Sequence, residues 1–243
     1  MLVASGMLRD VLDGAVDLLL GGACVGCARP GRALCPACAA LLPSDARPRW
    51  PDPVPPGLAP PWAAGEYDGV LRAMVIAHKE HRVLALRRPL TTLLAASVAA
   101  LLGESAPGPV VLVPVPSRPG AARSRGHDPT AALTVGAARL LRATDQDVIA
   151  RPLLRSRRGV VDQAGLGAVD RSANLAGSMR CPSGPLRRLA AIRPRARFVV
   201  CDDVLTTGAT TREAQRALES VGLTVAGVAT VAATRRRNRS EDP

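Results

Sequence analysis

The sequence predicts an α/β fold: a mainly parallel sheet flanked by helices, with a small four-cysteine module ahead of it. Three observations carry this expectation. The run Val199-Val200-Cys201-Asp202-Asp203-Val204 begins with the continuous apolar, β-branched character of a strand buried on both faces. Similar runs alternate with helical patterns over residues 62–235. Upstream, Cys24-x2-Cys27-x7-Cys35-x2-Cys38 sets two Cys-x-x-Cys knuckles close together.

The 243 residues suffice for one α/β domain with a small appendage. Hydrophobic residues make up 47% but aromatics only 2%, so the core must be built of Leu, Val and Ala. Leu8, Val11, Leu12, Ala15 and Leu19 form an apolar stripe interrupted by Asp10, Asp13 and Asp17. That pattern predicts an amphipathic helix, too acidic for a secretory signal and too short to span a bilayer. A cytoplasmic protein without a membrane span is expected.

Four thiolates at the spacing of Cys24, Cys27, Cys35 and Cys38 can converge tetrahedrally on one zinc ion, a closed structural site with no position left for water. The alternative, two disulfides or a redox pair, suits a reducing cytosol less well. Cys181 and Cys201 lack ligand spacing. Residues 1–45 are therefore assigned to an N-terminal helix and zinc module. A Pro-rich linker over 46–61, the main domain over 62–235 and a basic tail over 236–243 follow.

Within the main domain, Trp62 to Tyr67 reads as a short strand, Val70 to Ala77 as a short helix and Pro89 to Leu102 as an Ala/Leu-rich helix. Val110 to Pro116 is a second buried strand, although Pro114 donates no ladder hydrogen bond. Arg118, Arg123 and Arg125 follow it on a loop, where guanidinium groups suit a pyrophosphate. A helix over Thr130 to Leu141 comes next, and a strand over Thr224 to Ala233 closes the domain. The polar stretch between Arg155 and Met179 is long for an α/β connection, and a water-excluding lid is expected there.

The chemistry concentrates at Asp202-Asp203-Val204-Leu205-Thr206-Thr207-Gly208-Ala209-Thr210-Thr211. Thr210 and Glu213 match a capping box, so a helix should begin near Thr211. Ala214, Ala217, Leu218 and Val221 give that helix an apolar face, and Gly222 ends it. A strand, a Thr/Gly loop and a helix N-terminus together present free backbone N–H groups to an anion. Two carboxylates ahead of the loop suit ribose hydroxyls or magnesium. The loop lacks a Walker lysine and a Gly-x-Gly-x-x-Gly run, which disfavours P-loop and dinucleotide sites.

The formal net charge of +12 is discounted as evidence for nucleic acid. Among 32 basic residues Lys79 is the only lysine, so the charge reads as arginine accumulated by compositional drift. The survival of Lys79 against that drift is either a chance remnant or the mark of a position that needs a compact ammonium rather than a planar guanidinium.

The apolar strand, Asp202-Asp203 and Thr206-Thr207-Gly208-Ala209-Thr210 resemble the phosphoribosyl-pyrophosphate (PRPP) motif of type I phosphoribosyltransferases. The order of parts from Cys24 onward resembles the ComF family, which joins a four-cysteine zinc module to such a domain. Tyr67-x-Gly69 with Lys79 is similar to that family's first block, and Val113-Pro114-Val115-Pro116, Pro119, Arg123 and Arg125-Gly126 to its second. Gln163, Leu166, Arg171, Asn174 and Gly177 are similar to its third. His127-Asp128-Pro129 stands where the family usually has Phe-Asn-Gln, and Ser117-Arg118 where it often has Leu-His. The resemblance implies a type I phosphoribosyltransferase sheet, structural Zn²⁺, and Mg²⁺ bound with PRPP. It implies a phosphate site at Thr206, Thr207, Gly208, Ala209 and Thr210, Arg118 near the pyrophosphate, and catalytic roles for Asp202, Asp203 and Lys79. The implied activity is transfer or recognition of a ribosyl phosphate. The alternative is a non-catalytic accessory of competence and DNA uptake that binds nucleotide or single-stranded DNA, or DNA-uptake proteins.

Overall fold

The computed structural model describes residues 22–103, 108–117, 128–157 and 177–234. Its main sheet has six strands in the order β1-β2-β8-β7-β3-β4. These are β1 (Arg47–Pro48), β2 (Pro61–Glu66), β3 (Val110–Pro114), β4 (Val148–Ala150), β7 (Arg197–Leu205) and β8 (Val225–Ala233). Only β1 runs antiparallel, on β2 at the edge; the other pairs are parallel. A separate antiparallel ribbon pairs β5 (Arg155–Ser156) with β6 (Met179–Arg180). The helices are α1 (Pro36–Ala39), α2 (Gly69–Glu80), α3 (Arg87–Gly103), α4 (Pro129–Arg142), α5 (Ser183–Ile192) and α6 (Ala209–Glu219).

Alternation along the strands divides the core into two layers. Val110, Leu112, Val199, Cys201, Ala229 and Val231 face one side, under α2, α3 and α4. Val111, Val113, Phe198, Val200 and Val228 face the other, under Ala214, Ala217 and Leu218 of α6 and Leu189 of α5. With both faces covered, the strand centres must be apolar on both sides, which explains the continuous runs Val110–Val113 in β3 and Phe198–Cys201 in β7. Small side chains let the layers approach closely, as a core poor in aromatics requires.

Most elements lie where the sequence places them, with shifted ends. The helix after Tyr67 starts at Gly69 because Asp68 Oδ1 accepts the Gly69 N–H at 2.8 Å, and it continues to Glu80. Pro114 closes β3 opposite Cys201, and the ladder resumes through the Val115 N–H to Cys201 O at 2.8 Å. The strand β8 is the last described strand but not an edge of the sheet, since it lies between β2 and β7. The N-terminal helix, the loop Arg118–Gly126, the centre of the Arg155–Met179 stretch and the Arg-rich tail lie outside the described residues.

Two expectations need correction. The capping box does not form: Gly208 is the N-cap of α6, at φ +75°, and Thr210 lies inside the first turn. The Glu213 carboxylate turns instead to the Met179 N–H at 2.8 Å and to Arg216. The Pro-rich stretch 46–61 is not an open spacer: it contains β1, and Pro51, Leu58, Ala59 and Pro61 are buried. The four-cysteine module is likewise seated on the main domain, with Ala33 in the core and Val25, Leu34 and Leu42 packed against it.

By length and composition alone, Leu84–Gly103 would cross a membrane. Half of that stretch is buried within the protein, and Leu90, Leu94 and Val98 of α3 belong to the layer beneath the sheet, as in the core helix of a globular domain.

The contact between α3 and α4 generates a test. A Cβ on Gly136 would lie 2.6 Å from Thr91 Cγ2 and 3.0 Å from Thr91 Oγ1. Gly136→Ala should therefore cost roughly 1–3 kcal/mol by overpacking. In a Thr91→Ala background the same change should instead stabilise by up to about 1 kcal/mol, since alanine is the better helix former. Urea denaturation of the four proteins reads the sign reversal.

Candidate functional site

The strands β3 and β7 are neighbours, yet the chain leaves them in opposite directions, β3 toward β4 and β7 toward β8. In open α/β sheets such a reversal opens a crevice at the carboxyl ends of the strands. A cleft of about 600 Å³ lies here. Asp202, Asp203, Val204 and Thr206 reach it from β7 and its loop, Thr210 from α6, and Val115 to Ser117 from the end of β3. Val75, Ile76, Lys79 and Glu80 of α2 form another wall, with Tyr67 at its start.

The helix α2 runs over the carboxyl ends of the strands. It starts after Tyr67, whose N–H is bonded to Ala233 O at the end of β8, and its last turn brings Lys79 Nζ to 2.5 Å from Asp203 Oδ2. Asp203 is buried, and its Oδ1 accepts the Val204 N–H at 2.9 Å. Asp202 is half-buried, and its Oδ1 accepts the Asp203 N–H at 2.8 Å. Burial and the adjacent Asp203 charge lift the Asp202 carboxyl well above the usual carboxylate range, against the pull of Lys79. Burial opposes the Lys79 ammonium, but Asp203, Asp202 and Glu80 outweigh it and hold its pKa above the ordinary lysine value. Two carboxylates facing one ammonium form a site that favours a further cation or hydroxyl donors.

The loop after β7 is tied down locally. Thr207 Oγ1 accepts the Ala209 N–H at 3.4 Å, and Gly208 O accepts both the Arg212 N–H at 2.8 Å and the Thr211 hydroxyl at 3.0 Å. First-turn N–H groups of a helix have no intrahelical carbonyl, so the start of α6 presents donors and positive dipole beside the cleft. Thr206 and Thr210 line the cleft, whereas Thr207, Gly208 and Ala209 build the turn between them. A Cβ at Gly208 would meet Pro51 Cγ at 3.2 Å, Pro55 Cγ at 3.2 Å and Leu58 Cδ2 at 3.3 Å, so that side of the residue faces the Pro-rich segment.

The second site is the cysteine cluster. The Sγ atoms of Cys24, Cys27, Cys35 and Cys38 all lie within 4.8 Å of one another, and no disulfide joins them. The Cys35 N–H points at Cys24 Sγ (3.4 Å) and the Cys38 N–H at Cys35 Sγ (3.5 Å). Burial opposes ionisation of Cys24, but the Cys35, Cys27 and Gly26 amides outweigh it and bring the thiol down to about 6. Burial and the three neighbouring sulfurs push Cys38 up to about 12. Sulfurs gathered so closely need a bound cation before all four can be thiolates, and a four-thiolate donor set fits zinc. Gly26 makes the knuckle possible, since a Cβ there would lie 2.9 Å from Cys38 Sγ and 3.1 Å from Val70 Cγ2.

No protein-family model matches the chain, and no curated protein matches it. Of the sequence-derived site residues, the fold gathers Asp202, Asp203, Lys79, Thr206 and Thr210 around one cleft and the four cysteines in one cluster. Arg118 lies outside the described residues, as do Arg123, Arg125 and most of the polar stretch after Arg155. Sequence reasoning missed Ile76, Glu80, Ser117 and Thr130 as cleft residues. It also missed that Lys79 reaches Asp203. The isolated lysine signalled a special position but did not name its partner.

Two tests follow from this geometry. Purified protein should carry one zinc per chain by elemental analysis. Cys27→Ser should lower that content and expose residues 22–45 to proteolysis while β7 keeps its hydrogen-exchange protection. Lys79→Met should cost roughly 1–3 kcal/mol, less than a fully enclosed pair would, because the lysine side chain is 37% exposed. Lys79→Met with Asp203→Asn should recover most of that loss. The raised lysine pKa fixes the pH window: the pair stabilises the fold through neutral pH, and its contribution disappears as pH climbs beyond the ordinary value of 10.5. Urea titrations across pH 7–11 read both effects, and equal slopes for wild type and Lys79→Met in the alkaline limb would exclude the pair.

Proposed function

We propose that this chain is a ComF-like protein of the type I phosphoribosyltransferase class, and that its cleft binds PRPP with Mg²⁺ for transfer or recognition of the ribosyl phosphate. The observation that carries this reading is the adjacent pair Asp202-Asp203 at the end of a central parallel strand, followed at once by a Thr/Gly turn and a helix N-terminus lining the same cleft. Sugar hydroxyls and a phosphate one turn away need that juxtaposition of acceptors and donors.

In this reading the hydroxyls of Thr206 and Thr210 and the first amides of α6 take the 5′-phosphate. Asp202, whose Oδ1 is already directed at the Asp203 amide, accepts from the ribose hydroxyls through its other oxygen. Asp203 holds Lys79 at the cleft wall, where the ammonium offsets the repulsion between two carboxylates and an anionic ligand. Asp202 and Asp203 are the residues that would hold magnesium, which when bound would neutralise pyrophosphate charge. No protein nucleophile is required. The C1–O bond to pyrophosphate weakens toward an oxocarbenium-like state, and the protein contributes position and charge.

Calorimetric titration with PRPP and Mg²⁺ is the direct test. Binding should require magnesium, fall in Asp202→Asn, and fall in Lys79→Arg with a far smaller loss of stability than in Lys79→Met, because arginine keeps a positive charge beside Asp203 but its longer planar head presents that charge differently to a ligand. Absence of binding by the wild type overturns the reading. Pyrophosphate release on mixing with purine or pyrimidine bases marks an enzyme; binding without release marks the non-catalytic alternative.

A further inference from the structure

The residues between β1 and β2 touch the turn that starts α6 from the side away from the cleft. Gln215 of α6 is buried, at 4% exposure, and both ends of its amide are engaged. Its Oε1 accepts the Ala59 N–H at 2.9 Å, and its Nε2 donates to Gly57 O at 2.9 Å and to Glu219 Oε1 at 2.7 Å. One turn earlier, Arg212 Nε donates to Pro56 O at 3.0 Å. Thus an irregular, proline-rich segment has backbone groups satisfied by the side chains of one helix, where an isolated loop would turn them to water. Leu58 joins the core layer below α6, and its Cδ2 together with the Pro51 and Pro55 rings closes over Gly208.

Gly208 is the point where this matters. Its φ of +75° turns the chain from β7 into α6, and glycine alone has no preference for that sign of φ over the other. The conformation that aims the first amides of α6 therefore depends on what packs around Gly208 as well as on the loop's own hydrogen bonds. Pro51 and Pro55 are suited to holding it, since their rings lose little freedom on packing.

We propose that residues 51–59 are a brace for the phosphate loop, and that Gln215 is a positioning residue that fastens the brace to α6. The ligand-binding consequence rests on the function proposed above; the conformational consequence does not. Gln215→Met keeps the packing volume and removes the three hydrogen bonds. Hydrogen exchange of the ligand-free protein should then show the Ala209 and Arg212 amides, which bond to Thr207 Oγ1 and Gly208 O, exchanging about tenfold faster, the effect of one buried hydrogen bond lost. The Val200 amide in the centre of β7 should keep its protection, which a merely structural loss would not allow. Leu58→Ala, which trims the contact with Gly208 and leaves the Gln215 bonds in place, should loosen the same two amides and carries the test if Gln215→Met does not fold. Unchanged exchange at Ala209 and Arg212 in the folded variants, or equal acceleration at Val200, overturns the brace. In parallel, PRPP–Mg²⁺ affinity should fall about tenfold with the loop. Unchanged affinity in a loosened loop overturns the positioning role. A wild type that binds no PRPP refutes the ligand reading instead, while the exchange data still decide the brace.

Discussion

The buried carboxylate of Asp203 is the constraint from which the layout of the cleft follows. A charge at the end of a central strand, with little water to solvate it, requires a counter-charge from another element. Lys79 supplies it, and to do so the last turn of α2 must stand beside the carboxyl end of β7, while the start of the helix is tied to the end of β8. That path makes α2 a wall of the cleft. It also leaves Val70, at the opposite end of the helix, against Gly26 and Cys38 of the cysteine cluster. One ion pair thus relates the placement of the cleft to the seat of the four-cysteine module.

The α6 side of the cleft is held differently. Glu213 receives the Met179 N–H, and Arg216 bridges Glu213 to Met179 O, so the ribbon of β5 and β6 is fastened to α6. Burial raises the Glu213 carboxyl, but Arg216 and the Met179 and Gly177 amides outweigh it and hold the group below its ordinary range. With Gln215 turned toward the Pro-rich segment, adjacent positions of one helix reach in different directions. A single short helix therefore organises a turn, a ribbon and a strap.

What the sequence made legible has a common character. The centres of β3 and β7 showed as apolar runs because both faces of a parallel sheet are covered. The acid pair and the loop after it showed because their chemistry is contiguous in the chain. The cysteine spacing showed because a small metal site is assembled from local knuckles. Features that depend on distant partners did not show. Thr210 and Glu213 satisfied a local capping pattern, yet the Met179 amide claimed Glu213. The segment 46–61 looked like a spacer because prolines remove the donors by which a strand is recognised, and the side chains that satisfy its remaining groups lie far along the chain, on α6. The helix α5 buries only Leu189, too little for an apolar period, and β4 is only three residues long.

The register of β2 has a consequence for how the molecule is made. Its parallel partner is β8, the last described strand, with Pro61 opposite Val228 and Glu66 opposite Ala233. During synthesis, an apolar strand near the beginning must wait for almost the whole remaining chain before it finds its neighbour, and such long-range closure is slow. Nascent chains truncated before β8 would leave Trp62, Ala63 and Ala64 on an open sheet edge, the kind of surface chaperones and proteases recognise. The four cysteines, by contrast, all lie between Cys24 and Cys38, so every sulfur of that cluster is synthesised before any strand of the sheet. Its seat on Val70 arrives soon afterwards, long before β8.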